Sequence, residues 1–489
     1  MLFNSIEFLF FLPLAFLIYW AIGYARINDS LKLRLQNVFV VVASYVFYGW
    51  WDYKFLLLIA FTSLCSYASG LLIDKSKRCI VYGVRCINWA KFWLITNIVI
   101  NLGILAVFKY YDFFVREFGV LFGISTESLL LRIILPVGIS FYTFQALSYS
   151  IDVYRGNIKP TKDIIAFFAF ISFFPQLVAG PIERATNLLP QFLQKRTFNY
   201  EQGVDGMRQI LWGLFKKIVV ADNCAMYVDQ VWATYDTQSG STLLLAAVLF
   251  TFQIYGDFSG YSDIAIGTAK LFGIKLMRNF NNPYFSRDIA EFWRRWHISL
   301  TTWFRDYVYI PLGGSRVSKA KIVRNTFVIF LLSGFWHGAN WTFIAWGAYH
   351  AVLFLPLILL GKNRKYTGQV AEGRCLPTWR EALQMLLTFG LVVIGWIIFR
   401  AETIGQAWEI MQGICDVSLF TRPVMLVGLK RTLLFIGVLL VVEWIDRGHE
   451  HAFALNRLPQ WARLIMIYGL ILIMLEFMGH SQSFIYFQF

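Results

Sequence analysis

From Asn325 to Gly361 the chain carries no Lys, Arg, Asp or Glu. Shorter uncharged runs recur from one end of the sequence to the other. In a bilayer every backbone N–H and C=O must be satisfied within the protein, which leaves helices and closed barrels as spanning structures. A barrel would show short segments of alternating hydrophobicity. These runs are continuous, so they specify helices. With 58% hydrophobic and 15% charged residues, the chain lies far from the roughly 25% charge of a soluble protein. It reads as an all-α polytopic membrane protein.

A span takes about 20 apolar residues. Such segments fall near 6–24, 37–51, 55–73, 92–109, 133–151, 164–181, 205–221, 241–256, 325–336, 340–361, 382–399, 431–445 and 464–480. They predict about 11–13 transmembrane or re-entrant helices. The segment 164–181 holds Pro175, Gly180 and Pro181 and is expected to bend or re-enter. No soluble domain or internal repeat interrupts the pattern. Residues 1–489 are therefore read as one membrane domain, with N-terminal spans in 1–130, a core over approximately 133–361 and C-terminal spans in 382–489.

The stretch Phe8 to Tyr24 lacks the basic leader and small-residue cleavage site of a signal peptide, so it is read as the first span. The formal charge of +15 sits mostly in loops. Basic loops on alternate sides set topology by the positive-inside rule, so nucleic-acid binding is set aside. Arg26, Lys32 and Arg34, then Lys75 to Lys91, then Arg155 to Lys162 fall on one side if the spans alternate. Taking that side as cytosolic places the N-terminus outside. The loops around Lys362 to Arg380 and Arg447 to Arg463 place the C-terminus outside as well.

The segment 270–324 interleaves Arg294, Arg295 and Arg305 with Phe292, Trp293, Trp296 and Trp303. That mixture suits amphipathic helices at the membrane interface, where arginine snorkels and tryptophan sits at the headgroups. The six cysteines form no CxxC pair or zinc set. Cys79, Cys86 and Cys375 fall in basic loops where thiols stay reduced.

Among the six histidines, His337 lies inside the uncharged run. An ionisable group at bilayer depth is costly and usually functional. Gly334 and Gly338 flank the Trp336-His337 pair and predict a broken helix that lines a cavity or is buried in protein. A histidine bridging two helices is the competing reading. His297 sits in Trp296-His297-Ile298, where interface anchoring explains the arginines better than it explains the imidazole. His350 reads as a core histidine, His449 and His451 as solvated, and His480 as interfacial. Asp257 and Asp263, in a run rich in glycine and hydroxyls, suggest a helix break and pairing with an arginine of 287–305. Glu183 and Arg184 suggest a local pair.

Two histidines alone make no typical zinc site, and neither HExxH nor a metal-spaced carboxylate set occurs. Walker A, GxGxxG and GxSxG motifs are absent. Histidine as a general base toward a hydroxyl remains.

Several longer strings carry a resemblance: Leu135 to Gln145, Phe174 to Ile182, Tyr255 to Asp263, Phe292 to Gly314, Trp336-His337-Gly338 and the tail Phe484 to Phe489. Together they resemble the membrane-bound O-acyltransferases, within them the alginate O-acetylase branch, essentially end to end. Phe335 stands where that branch often has leucine. The resemblance implies a core with a central tunnel and His337 as the catalytic histidine, general base or acyl relay. It implies His297 as the second histidine of the prokaryotic branch. Trp336, Asn340, Arg294, Arg295, Arg305, Trp303 and Asp257 become candidates for contact with substrate or donor. The three arginines suit donor phosphates, although topology signalling also explains them.

No bound cofactor or metal is expected. The expected cosubstrate is a cytosolic acyl thioester, either acetyl-CoA or acyl-carrier phosphopantetheine. The expected partners are an SGNH-type periplasmic or extracellular acetyltransferase, a polysaccharide acceptor and the lipid bilayer. The expected location is the bacterial cytoplasmic (inner) membrane. Competing readings are D-alanyl or other acyl transfer from a carrier protein to a wall polymer, a transporter without covalent chemistry, and histidine-ligated haem.

Overall fold

The apolar runs become helices that stop where capping residues, glycine or proline interrupt them. The computed structural model describes residues 1–80, 89–178, 180–453, 458–477, 482, 484 and 485, with the side chains of 78–80 left out. The Cys79 side chain, and Arg85, Cys86, Ala179, Arg457, His480 and the tail residues Tyr486 to Phe489, therefore lie outside what is described.

In chain order the helices are α1 (Ile6–Tyr24), α2 (Asp29–Gly49), α3 (Phe55–Ile80), α4 (Trp89–Leu105), α5 (Tyr111–Phe122), α6 (Ile139–Arg155), α7 (Ile164–Ser172), α8 (Phe174–Leu177), α9 (Ala185–Phe192) and α10 (Tyr200–Leu214). There follow α11 (Asp222–Ala233), α12 (Gly240–Leu271), α13 (Ile289–Arg295), α14 (Ile298–Phe304), α15 (Lys319–His337), α16 (Trp341–Leu359), α17 (Trp379–Arg400), α18 (Ile404–Ile414), α19 (Leu429–Ile445) and α20 (Gln460–Phe477). Among the described residues there is no strand. Among the described residues, seven segments are long and apolar enough to cross a membrane: α1, α3, Trp89–Phe122, α12, α16, α17 and α20. The chain is a multi-pass, all-α membrane protein.

Residues fall into two compact units, Met1–Met207 with Ala265–Met277, and Arg208–Ile264 with Arg278–Phe489. In the first, polar side chains join helices that water cannot drive together. Asn97 donates to Ser150 Oγ at 2.8 Å and accepts from Ser66 Oγ at 3.2 Å, linking α3, α4 and α6. Such bonds contribute roughly 0.6 kcal/mol each in membranes. The expected bend in 164–181 is present as a break between α7 and α8 at Phe173 (φ −51°, ψ 107°). Pro175 itself sits in the first turn of α8, where its missing N–H removes no helical bond.

Two of the motifs meet in this unit. A Cβ at Gly138 (φ +73°) would lie 2.4 Å from the Leu177 carbonyl oxygen, so glycine is required there. Gln176 Nε2 donates to Gln145 Oε1 at 2.7 Å. Glu183 accepts from Asn187 Nδ2 at 2.7 Å and from the Met277 N–H.

In the second unit, the break expected around Tyr255–Asp263 does not occur, because α12 runs through it as one helix. Its glycines serve close packing instead. A Cβ at Gly260 would lie 2.7 Å from the Gly213 carbonyl oxygen, and one at Gly256 would lie 2.9 Å from that of Lys216. The opposing residues Phe215–Ala221 form a π-helical turn. Its two consecutive lysines both point inward, and these, rather than arginines of 287–305, pair with the α12 aspartates. Lys216 meets Asp263 at 2.5 Å, and Lys217 meets Asp257 at 2.9 Å and Asp222 at 2.7 Å.

Candidate active site

α15 and α16 form a hairpin whose backbones touch. A Cβ at Gly334 would lie 2.2 Å from the Phe343 carbonyl oxygen, and one at Gly347 would lie 2.4 Å from that of Phe330. Small residues of this kind let membrane helices approach closely. His337 is the last residue of α15. The break expected beside it is present: Gly338 is extended, a Cβ there would strike the Phe343 ring at 2.1 Å, and Asn340 restarts the chain by capping α16 through the Thr342 N–H. The buried His337 ring packs on Trp336 at 5.0 Å, Trp346 at 5.2 Å and Phe399 at 5.3 Å.

His297 occupies the turn between α13 and α14 with φ +43°. A left-handed non-glycine residue costs roughly 1–3 kcal/mol and persists where its surroundings enforce it. Two backbone bonds do so, Ile298 N to Asn279 O at 2.8 Å and Asn281 N to Arg295 O at 2.9 Å. The imidazole Nδ1 lies 3.0 Å from Asn279 Oδ1, which also accepts from Ser299 Oγ at 2.9 Å. His297 Nε2 has no hydrogen-bond partner among the described residues. Lying outside the seven candidate spans, the His297 imidazole is pushed down to about 3 by burial, which keeps it neutral.

Trp336 stands between the two histidines, its ring 5.9 Å from His297 and 5.0 Å from His337. The structure thus gathers His297, Trp336 and His337 into one aromatic cluster. Asn279, Phe258 at 4.6 Å from His297, Trp346 and Phe399 complete it. Phe258 falls inside the Tyr255–Asp263 string, whereas Asn279, Trp346 and Phe399 were not distinguishable in a sequence where asparagine and aromatics are plentiful.

Beside the cluster lies a cavity of 410 Å³. Its wall includes Trp293, Ile298, Thr302, Ser333, Arg294 and Arg305, and also Arg364. Ile298 follows His297 directly, and Ser333 precedes His337 by one helical turn. Neither histidine is among the residues that line the cavity.

The other expected site residues are placed differently. Arg294 lines the cavity but donates to the carbonyls of Asn363 and of Tyr366, the latter at 2.6 Å. Arg295 is buried against Glu291 at 2.8 Å. Arg305 pairs with Asp306 at 2.6 Å and remains exposed. Trp303 packs on Tyr307 at 5.0 Å. Asn340 Nδ2 donates to the Glu402 carbonyl at 2.9 Å, and Asp257 is engaged by Lys217. Within 270–324 the aromatic residues of α13 and α14 are buried, while Arg316, Lys319, Lys321 and Arg324 are exposed. His350 is buried against Trp293 and Trp346, each at 5.0 Å. His451 is buried rather than solvated, with Nδ1 2.7 Å from the Ala452 carbonyl oxygen. Among the described residues no three His, Cys, Asp or Glu side chains converge as metal ligands.

Residues 159–394 match the model of MBOAT, the membrane-bound O-acyltransferase family. A Pseudomonas aeruginosa protein named Probable alginate O-acetylase is 42% identical over 416 residues, covering 84% of this chain and 74% of that one. The Peptidoglycan O-acetyltransferase of Helicobacter pylori is 35% identical over 446 residues, covering 86% and 80%. The Teichoic acid D-alanyltransferase of Bacillus subtilis is 31% identical over 283 residues, covering 54% and 69%. With 42% identity to a relative three-quarters covered, and a family match that includes both histidines, the chain belongs to the membrane-bound O-acyltransferase family and is a multi-pass membrane acyltransferase.

Proposed function

We propose that this enzyme is an O-acetyltransferase that takes an acetyl group from a cytosolic thioester and supplies it for O-acylation of an exported or cell-envelope polysaccharide. The observation that carries the reading is the His297–Trp336–His337 cluster set beside the 410 Å³ cavity. A cavity of that size suits the pantetheine arm of coenzyme A or of an acyl carrier better than a whole nucleotide. Arg305 and Arg364 on its wall supply positive charge for the donor's phosphates.

In this reading the cavity opens to the histidines when the donor enters. His337 removes the proton from the acceptor hydroxyl, whose oxygen attacks the thioester carbonyl. The carbon–sulfur bond breaks, and the proton passes to the departing thiolate. Proton transfer by a positioned base contributes typically 10²–10⁴-fold. The alternative is a relay in which His337 itself carries the acetyl group. His297 supports the site from the other side of Trp336.

Relatives named for alginate and peptidoglycan O-acetylation support a polysaccharide acceptor. Delivery to such a glycan would use an SGNH-type partner outside the cytoplasmic (inner) membrane, with both chain termini outside. The D-alanyltransferase relative matches a smaller share of the chain, which favours acetyl over D-alanyl transfer. The test is transfer of label from [14C]acetyl-CoA by membranes carrying the enzyme. Label reaching water, a partner or glycan supports the reading, and strict D-alanyl dependence would replace it.

A further inference from the structure

Polar groups buried in the second unit converge on the backbone of the last described residues. Lys217 Nζ, held by Asp222 at 2.7 Å and Asp257 at 2.9 Å, donates to the Gln482 carbonyl at 3.0 Å. Asp257 Oδ2 accepts from the Ile485 N–H at 2.6 Å. Two carboxylates around one lysine are costly to bury unless their remaining lone pairs are used. The Ile485 N–H uses one of them, on Asp257 Oδ2, and the Gln482 carbonyl takes a proton of the lysine. Because these bonds reach backbone, they fix where the segment lies whatever its side chains.

The side chain between them sets the register. Phe484 is fully buried, its ring 4.3 Å from Tyr261 and 6.2 Å from Phe258. Phe258 in turn meets the His297 ring edge-on at 4.6 Å and 88°. Residues distant in sequence thus reach His297 through two aromatic contacts.

We propose that Gln482, Phe484 and Ile485 form a positioning element for acyl transfer. Docked on Lys217 and Asp257, the segment seats Phe484 against Phe258, which holds the His297 ring with Nε2 available. Phe484 and Ile485 touch no reacting atom, so they are positioning residues. The proposal rests on the reading of His297 as part of the reaction site.

The test uses the full chain in membranes, with [14C]acetyl-CoA as donor and rates compared at equal membrane abundance. Ile485→Pro deletes the N–H that Asp257 accepts, and Phe484→Ala deletes the ring. Both are expected to lower kcat by about 10-fold or more, since small misplacements in a site carry large rate penalties. The donor KM is expected to stay within about 2-fold, because ground-state binding is untouched. Ile485→Val and Phe484→Leu, which keep the N–H and most of the apolar volume, are expected to stay within about 3-fold of wild type.

Wild-type kcat in Phe484→Ala overturns the proposal. So does a fall in kcat matched by a rise in KM and not recovered in Phe484→Leu, which marks general loosening. If Ile485→Pro does not accumulate, Phe484→Ala decides. Failure of both to accumulate assigns the segment to folding and also overturns the proposal. His297→Ala is the control: full activity there removes the underlying reading instead, whereas an inactive His297→Ala beside a fully active Phe484→Ala removes only this proposal.

Discussion

His297 Nδ1 lies 3.0 Å from Asn279 Oδ1. Since that oxygen already accepts from Ser299 Oγ at 2.9 Å, it acts as an acceptor toward both. The ring proton therefore sits on Nδ1 and the lone pair on Nε2, the arrangement in which an oriented imidazole can accept a proton. Asn279→Leu should lower kcat by about 10-fold or more while leaving membrane abundance intact, because it frees the ring to adopt the wrong tautomer. Asn279→Asp, which keeps an acceptor, should retain more activity than Asn279→Leu. Initial rates at saturating donor check both.

The α15–α16 hairpin tolerates no side chain at its closest approach. Gly334→Val would force a branched side chain into the Phe343 carbonyl, where a Cβ already lies 2.2 Å away. Overpacking of this kind costs about 1–3 kcal/mol, so a lower melting temperature in detergent is expected. Gly103→Ala, in α4 with nothing within 4 Å of its Cβ, should leave melting unchanged or slightly raised.

Lys217 pairs with two buried carboxylates, Asp222 and Asp257. Lys217→Met would leave Asp222 and Asp257 uncompensated, a loss of about 3–5 kcal/mol for a broken buried pair. The variant should accumulate poorly in membranes. Combining it with Asp222→Asn and Asp257→Asn should recover part of the abundance, which immunoblotting of membrane fractions would show.

Exposed arginines at the cavity should act on donor binding alone. Arg364→Ala and Arg305→Ala are expected to raise the KM for acetyl-CoA by about 3- to 10-fold with kcat unchanged, and the difference should shrink at high salt. Arg294→Ala should instead destabilise the 363–366 loop, whose carbonyls it binds. Steady-state kinetics across a salt series separates the two behaviours.

Much of this arrangement was legible in the chain. Uninterrupted apolar runs marked α1, α3, α12, α16 and α17, because length and hydropathy are local properties. The glycines around Trp336-His337 marked the break after α15, since backbone approach leaves a compositional trace. The Tyr255–Asp263 run misled for the same reason: its glycines serve contact with a second backbone, and sequence does not distinguish contact from a break. The partners of Asp257 and Asp263 were also hidden. A π-helical turn aims Lys216 and Lys217 inward together, and ordinary helical periodicity does not anticipate that. Asn279 could not be found, because its role depends on a turn that brings together residues 18 positions apart.

The central claim is that His337 performs the transfer. The most direct measurement is acetyl transfer from [14C]acetyl-CoA by membranes carrying His337→Ala at wild-type abundance. The account predicts a loss of about 10³-fold or more, as when a residue acting only in the transition state is removed. Acetylation at the wild-type rate would contradict it.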